Sequence, residues 1–172
     1  MISAKQALDL VKSADLIALA MQADAIRKQL DPHGIVSYPM SSVAPADATC
    51  RTIAFIPGQP PSEQVMLLDE IRRQQENTSA WTAVAPTIHG TAAEYLKVLA
   101  LSRIYLENIP HIQTSWTIGL KICQIALRCG ADDIAAEDEK HRPTVEQLRC
   151  LIRDAGFVPR ERDALFRTYY LD

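Results

Sequence analysis

Apolar and polar positions follow two different periods along the chain. Between residues 1 and 34, apolar residues recur at three- and four-residue spacing, which predicts two consecutive helices, with Ser3 and Ser13 as their N-caps. The run DPHG at residues 31–34 ends the second helix, because proline cannot continue a helix and glycine accepts a turn. Residues 35–50 hold two prolines and no periodicity, so we expect a linker loop with a short extended piece at its start.

From residue 51 the pattern changes to short apolar runs, each followed by helical periodicity. The runs predict four buried strands, at residues 51–57, 81–86, 111–116 and 131–135. Capping-box pairs, Thr91 with Glu94 and Thr144 with Gln147, open two of the helices. This alternation predicts a parallel sheet with right-handed crossovers. For residues 157–172 we expect a turn and a short amphipathic helix.

The chain length limits how much of a known architecture can be present. With 172 residues we expect a single α/β domain, comprising N-terminal helices (1–34), the linker (35–50) and four βα units with a C-terminal tail (51–172). A complete (β/α)₈ barrel takes about 250 residues. The sequence therefore predicts a partial, half TIM-barrel-like parallel sheet with two N-terminal helices.

Composition excludes several classes of partner. The net charge is −3 and no long lysine or arginine run is present, so we expect no nucleic-acid partner. No apolar stretch reaches the ~18 residues of a membrane span, and the N-terminus lacks the apolar core of a signal peptide. We therefore expect a cytoplasmic protein whose four cysteines stay reduced.

Four segments carry a family resemblance. They read ADAIRKQLDPHGIVSY at residues 23–38, TIAFIPGQPPSEQVMLLDEIRRQQ at 52–75, NIPHIQTSW at 108–116 and GADDI at 130–134. Together they resemble the futalosine-pathway radical S-adenosylmethionine enzymes of menaquinone biosynthesis, aminofutalosine synthase and dehypoxanthine futalosine cyclase, and the related FO synthase. The resemblance implies that the entry helices and the last four barrel units are kept. It also implies that a block with the cluster loop and strands two to four is missing, as in a truncated relative.

The cysteine spacing departs from that family. Its members hold a four-iron cluster with a CxxxCxxC triad, whereas this chain has Cys50, Cys123, Cys129 and Cys150. Cys123 and Cys129 lie on one predicted helix, and six residues turn a helix by about 600°, so the two thiols face different ways. Because a cluster needs neighbouring thiolates, we expect no iron–sulfur cluster and no bound S-adenosylmethionine. His33, His111 and His141 show no metal-ligand spacing among themselves or with the cysteines, so we expect no other metal.

Ligands of parallel βα folds gather at the carboxyl ends of the strands, and the resemblance places the family's pocket on that rim. His89 offers a hydrogen-bonding imidazole there, and Trp116 offers a flat surface for an aromatic or nucleoside-like ligand. For His89 and Trp116 the structural alternatives are a helix cap and core packing, respectively. For Asp132 and Asp133 they are a helix cap or an ion pair with an arginine. The candidate binding residues are Gly58, His89, Ser115, Trp116, Asp132 and Asp133.

Half a barrel leaves one face of its sheet to be covered. We expect Ile53, Phe55, Ala83 and Ala85 to face the barrel interior and to meet water, at a cost of several kcal/mol at about 25 cal/mol per Å². Either the N-terminal helices fold over this face or a second copy completes the barrel. We favour a homodimer, since open strand edges also need partners.

Three functions fit these patterns. The first is a non-radical, non-catalytic protein that binds a small aromatic or nucleoside-like ligand or a pathway partner. The second is a scaffold whose half-barrel pairs with itself or with a full-length relative. The third is an enzyme with acid–base chemistry at His89 and Asp132 or Asp133. Catalytic residues stay unassigned, because no triad, phosphate loop or helical carboxylate pair is present.

Overall fold

The computed structural model of the protein describes residues 1–39, 49–135 and 142–169, with the backbone alone at residue 169. The predicted loop residues 40–48 and the acidic run 136–141 lie outside this description. The described helices are α1 (Ala4–Ser13), α2 (Leu16–Leu30), α3 (Pro61–Thr78), α4 (Ala92–Tyr105), α5 (Leu120–Arg128), α6 (Val145–Asp154) and a 3₁₀ turn (Trp116–Ile118). The strands are β1 (Ile35–Pro39), β2 (Cys50–Phe55), β3 (Ala83–Ile88), β4 (His111–Thr114), β5 (Asp133–Ile134), β6 (Val158–Arg162) and β7 (Thr168–Tyr169).

These strands form one sheet in the order β2-β3-β4-β5-β1-β6-β7. The first six are parallel to their neighbours, and the short β7 runs antiparallel to β6. The α/β class and the partial-barrel-like parallel sheet predicted from the sequence are thus confirmed. A closed barrel would place its second strand beside β1, and here β6 takes that position.

The short extended piece expected at the start of the linker is confirmed, but it is a central strand of the sheet and not part of a loop. Residues 35–39 form β1, where Ser37 pairs with Asp133 of β5 and Ile35 with Val158 of β6. Three successive residues of this strand, Val36 to Tyr38, are buried. A five-residue segment flanked by glycine and proline carries little local signal, so its strand character comes from the partners on both sides.

The expected C-terminal helix is wrong, because residues 158–169 form the hairpin of β6 and β7. Pro159 lacks the N–H that a helix interior needs. The pairing with β1 supplies the ladder hydrogen bonds instead, and Arg162 at the end of β6 is completely buried.

Three helices begin at the N-cap residues that the sequence predicts. Ser3, Thr91 and Thr144 each form a complete capping box. The N-cap of α2 is Asp15 rather than Ser13, and its carboxylate accepts the Ala18 amide at 2.8 Å. The predicted helix after β4 is divided by Gly119, whose φ of +95° only glycine adopts without strain.

The helices form two layers on one face of the sheet. Helices α3 to α6 pack on the strands, and α4 is buried from Val98 to its end because α1 and α2 lie outside α3 and α4. The alternative in which α1 and α2 cover the opposite sheet face is therefore wrong. None of the described helices is long and apolar enough to cross a membrane.

The other sheet face, called the inner face below, is less apolar than expected. Ile53 and Phe55 are 2% and 3% exposed and belong to the core with Val65 and Leu68 of α3, so the expectation that they meet water is wrong. Ala83 is also fully buried and Ala85 is half-buried. Because strand residues alternate between faces, the inner face receives small and polar residues instead.

Candidate functional site

A buried carboxylate, that of Asp133, organises one half of the inner face. Arg162 donates from Nε to its Oδ1 at 2.5 Å and from Nη2 to its Oδ2 at 2.8 Å. Ser37 Oγ donates to Oδ1 at 2.5 Å, and Gln113 Nε2 donates to Oδ2 at 2.8 Å. Four donors from β6, β1 and β4 thus satisfy both oxygens of a side chain on β5, which ties these strands together.

The neighbouring carboxylate, Asp132, lies at the amino-terminal edge of the strands. Its Oδ1 accepts the Ile112 amide at 2.8 Å, and its Oδ2 lies 2.8 Å from Arg103 Nη2. Burial raises the pKa of Asp132, but Arg103, His111 and the Ile112 amide outweigh burial and hold that pKa below its usual value. Asp132 is therefore ionised and paired.

His111, the first residue of β4, adds a titratable imidazole to the inner face. Its Nδ1 lies 3.4 Å from Asp132 Oδ2, which is an ion-pair distance rather than a well-directed hydrogen bond. Burial opposes protonation, but the interaction with Asp132 outweighs it and raises the pKa of His111 above its usual value. The side chain remains partly exposed, so the imidazole can exchange protons with solvent.

Phe166, in the turn between β6 and β7, covers part of this face. Its ring stacks on His111 with 5.2 Å between ring centroids, and the Arg162 guanidinium carbon lies 3.9 Å from its centroid. Phe166 has a φ of +58°, an uncommon conformation for a large side chain. The stack and the cation–π contact hold the ring in place despite that backbone conformation.

The rest of the inner face is open, and we call it the open floor: Thr52, Ala54, Ala85, Thr87 and Gln113. These residues lie on β2, β3 and β4, and the register places Thr52 beside Ala85 and Ala54 beside Thr87. The two threonines and Ala54 are exposed, and Ala85 and Gln113 are half-buried. Small side chains leave room for a flat ring, and hydroxyl and amide groups along its sides can hydrogen-bond a polar ligand.

Three of the candidate residues lie on the carboxyl edge of the strands. Gly58, His89 and Ser115 follow β2, β3 and β4, which are adjacent in the sheet. His89 is exposed, Ser115 Oγ lies 2.6 Å from Thr117 Oγ1, and Gly58 turns the chain with a φ of +74°.

The other candidates are placed elsewhere. Trp116 is buried, with the Arg142 guanidinium carbon 5.8 Å from its ring centroid. Asp132 lies near the end of α4 and His89 just before its start, and a helix of this length spans about 20 Å. The structure therefore does not bring His89 and Asp132 together, and both aspartates are committed to arginines.

Sequence reasoning missed Ser37, His111, Gln113, Arg162 and Phe166. His111 and Gln113 alternate with Ile112 on one strand, and this period of two was a usable signal for an inner-facing pair. Arg162 and Phe166 carry no such signal, because β6 and β7 were not predicted as strands.

The four cysteines do not form a ligand set for a cluster. Cys50 lies on β2, Cys123 in α5, Cys129 directly after α5 and Cys150 on the exposed side of α6. Across residues 1–39, 49–135 and 142–169, no three histidine, cysteine, aspartate or glutamate side chains are grouped to hold a metal ion. Thiols spread over three elements do not fit a cubane cluster that needs three neighbouring ligands.

Comparison with known proteins identifies similar chains. Residues 50–171 match the family model described as the CofH/MqnC C-terminal region. The cyclic dehypoxanthine futalosine synthase of Streptomyces coelicolor is 32% identical over 128 residues, which cover 61% of this chain and 32% of that protein.

Two further relatives are more similar over shorter stretches. The aminodeoxyfutalosine synthase of Streptomyces coelicolor is 38% identical over 96 residues, covering 48% of this chain and 25% of that protein. The 5-amino-6-(D-ribitylamino)uracil–L-tyrosine 4-hydroxyphenyl transferase of Methanocaldococcus jannaschii is 38% identical over 91 residues, covering 45% and 25%. The matched part of this chain thus spans a quarter to a third of the length of these relatives.

Proposed function

Because the chain belongs to the CofH/MqnC C-terminal family, we propose that it is a non-radical member that binds a small ligand on the open floor. The ligand class is an aromatic heterocycle joined to a ribose or polyol chain. The name of one relative contains such a compound, 5-amino-6-(D-ribitylamino)uracil, and two other names contain futalosine compounds. Binding, rather than radical chemistry, is the function that the residues of this chain support best.

The observation that carries the proposal is the composition of the open floor. Ala54 and Ala85 offer a flat surface for a ring, and Thr52 and Thr87 offer hydroxyls on either side of it. Gln113 donates to Asp133 through Nε2, so its amide oxygen remains as an acceptor for a ligand hydroxyl.

The thiols support the non-radical part of the proposal. Burial raises the pKa of Cys123 to about 12 and that of Cys129 to about 11, so both are protonated at neutral pH. A cluster binds thiolates, and these two thiols are poor donors for one. After anaerobic reconstitution with iron and sulfide, we expect no stoichiometric iron. A brown protein with labile sulfide would contradict the proposal.

Ligand binding is tested by thermal unfolding with 5-amino-6-(D-ribitylamino)uracil and, separately, with S-adenosylmethionine. We expect the first compound alone to raise the Tm in a saturable manner, since a ligand that binds only the folded state stabilises it. Thr52→Val and Thr87→Val remove a hydroxyl at nearly constant volume and should weaken the effect. Thr78→Val, at the end of α3, is the matched control. Equal shifts in all three variants would exclude the open floor as the site.

The second candidate is a scaffold that pairs through β2. Within the described residues this strand pairs only with β3, and Ile56, directly after it, is 66% exposed. Open parallel edges and exposed apolar residues favour association, so a homodimer or a partner from the same pathway is the alternative occupant. Sedimentation at micromolar concentration separates the two candidates. A compact monomer that binds the ribityl compound supports the first, and a dimer that Ile56→Lys dissociates supports the second.

A further inference from the structure

A cavity of about 290 Å³ lies on the helix side of the sheet, apart from the open floor. Val11 of α1, Leu19 of α2, and Val98 and Leu101 of α4 form its apolar wall. The turn after β2, with Pro60, closes it towards α3. The two N-terminal helices thus form one side of a space whose other side belongs to the βα units.

The cavity size limits the ligand. One water molecule has a share of about 30 Å³ in the liquid, so the volume corresponds to about ten waters and admits a ligand of about ten non-hydrogen atoms. Leu19, Val98 and Leu101 are almost completely buried and close the base of the cavity. The half-buried Val11 and Ile88 present the apolar surface that an alkyl chain can contact. Small-molecule sites typically combine such a wall with a few polar groups at the mouth.

The polar groups at the mouth are mostly committed to the fold. Glu94 accepts the Thr91 amide and the Thr91 hydroxyl at 2.8 Å each, as part of the capping box of α4. Gln64 Nε2 donates to the Gln59 carbonyl at 3.1 Å and so holds the turn after β2.

Lys97, one turn further along α4, also lines the cavity and is exposed. No carboxylate of the described residues lies within ion-pair distance of its amine. The mouth therefore carries one anion and one cation. The Glu94 carboxylate is bound in the capping box and interacts with Lys97 at longer range, so the Lys97 amine is the charged group that can meet a ligand carboxylate.

From this combination we propose a second binding site for a small aliphatic carboxylate, with the alkyl chain against Val11 and Ile88 and the carboxylate at Lys97 Nζ. The site lies on the face of the sheet opposite the open floor, so it goes beyond the function proposed for that floor. A ligand seated there contacts α1, α2 and α4 together and therefore stabilises the packing of the N-terminal helices on the rest of the chain.

Octanoate, with ten non-hydrogen atoms, is the probe, and octanol and octylamine are its neutral and cationic counterparts. Titration followed by calorimetry or by NMR should show saturable octanoate binding, with octanol weaker by about fivefold, as for a partly exposed ion pair. Lys97→Gln should lower octanoate affinity to that of octanol. Lys121→Gln, an exposed lysine on α5, should leave it unchanged.

Filling the cavity gives an independent test. Val11→Phe and Ile88→Phe enlarge half-buried residues of the lining and should each abolish octanoate binding, with circular dichroism and Tm reporting whether each variant folds. Absence of saturable octanoate binding to the unmodified protein would overturn the proposal. So would tighter binding of octylamine, equal binding of octanol, or octanoate binding that persists in a folded cavity-filled variant.

Discussion

Arg162 on β6 and Asp133 on β5 form a bidentate ion pair that reaches across β1, the strand between them. Both side chains are completely buried, and Ser37 of the intervening strand donates to the same carboxylate. The pair therefore fixes the C-terminal strand to the centre of the sheet. It also sets the position of Phe166, whose ring lies against the same guanidinium.

Removing one member of this pair should be strongly destabilising. Arg162→Met leaves the Asp133 carboxylate buried without a counter-ion, and breaking a buried pair in this way costs about 3–5 kcal/mol in the free energy of unfolding. Urea unfolding measures the loss. Arg167→Met breaks the mostly exposed pair with Asp163 and should cost about 1 kcal/mol or less.

The double variant Arg162→Met/Asp133→Leu should recover part of the loss, because no unpaired charge remains. If Arg162→Met were no more destabilising than Arg167→Met, the pair would contribute little and the hairpin would be held by its other contacts.

The His111–Asp132 contact predicts a pH dependence of stability. The pKa of His111 is raised in the folded protein, so the folded state binds a proton more tightly than the unfolded state. The resulting stabilisation is fully present below the unfolded value of about 6.5 and is lost as pH rises through the folded value. Denaturant unfolding between about pH 6 and about pH 9 should therefore show a falling free energy of unfolding.

His111→Gln is the control for this prediction, because it keeps a polar side chain but does not titrate. Its pH profile should be flatter than that of the unmodified protein over the same range. The pKa of Asp132 is lowered, so its own stabilising contribution is lost only in acid and does not interfere in this window. Identical profiles for the two proteins would show that His111 does not carry the effect.

Local sequence signals predicted the elements that need no distant partner. Thr91 and Thr144 start helices through capping boxes that involve residues three positions away, and β2, β3 and β4 have apolar runs long enough to read as strands. These signals were sufficient for the α/β class and the parallel sheet.

The elements that were predicted only in part, or not at all, depend on contacts between distant segments. Residues 35–39 become a strand because β5 and β6 lie on both sides, and residues 158–162 become one because β1 offers an edge. The sheet face on which the Ile53 side chain lies is also decided by the packing of the whole sheet. The helices lie on the side that Ile53 and Phe55 share, and the strand pattern alone does not say which face a helix layer will cover.

The assignment of faces on β2 makes a direct prediction. Ile53 packs in the core, so Ile53→Ala should lower the free energy of unfolding by about 2–5 kcal/mol through lost burial and a residual cavity. Thr52→Ala, the adjacent residue on the inner face, should change it by about 0.5 kcal/mol or less. Similar effects at the two positions would indicate that the strand is registered differently or that the inner face is covered.

The cysteines should react with thiol reagents in an order set by burial. Cys150 is exposed on α6 and should be alkylated first, with Cys50 at the start of β2 slower. Cys123 and Cys129 are buried, and the pKa values of about 12 and about 11 that burial gives them leave almost no thiolate at neutral pH. Peptide mass spectrometry after timed iodoacetamide treatment measures the four rates, with urea-unfolded protein as the reference for full reactivity.

The order of cysteine alkylation also tests the proposal that the protein carries out no radical chemistry. If Cys123 and Cys129 were labelled as fast as Cys150 under native conditions, α5 would open readily and expose two thiols that lie near each other in sequence. Burial of these thiols would then no longer support the non-radical assignment, which would rest on the spread of the four cysteines over three elements. Protection of both thiols, released only by urea, is the result that we expect from their packing against α4 and the sheet.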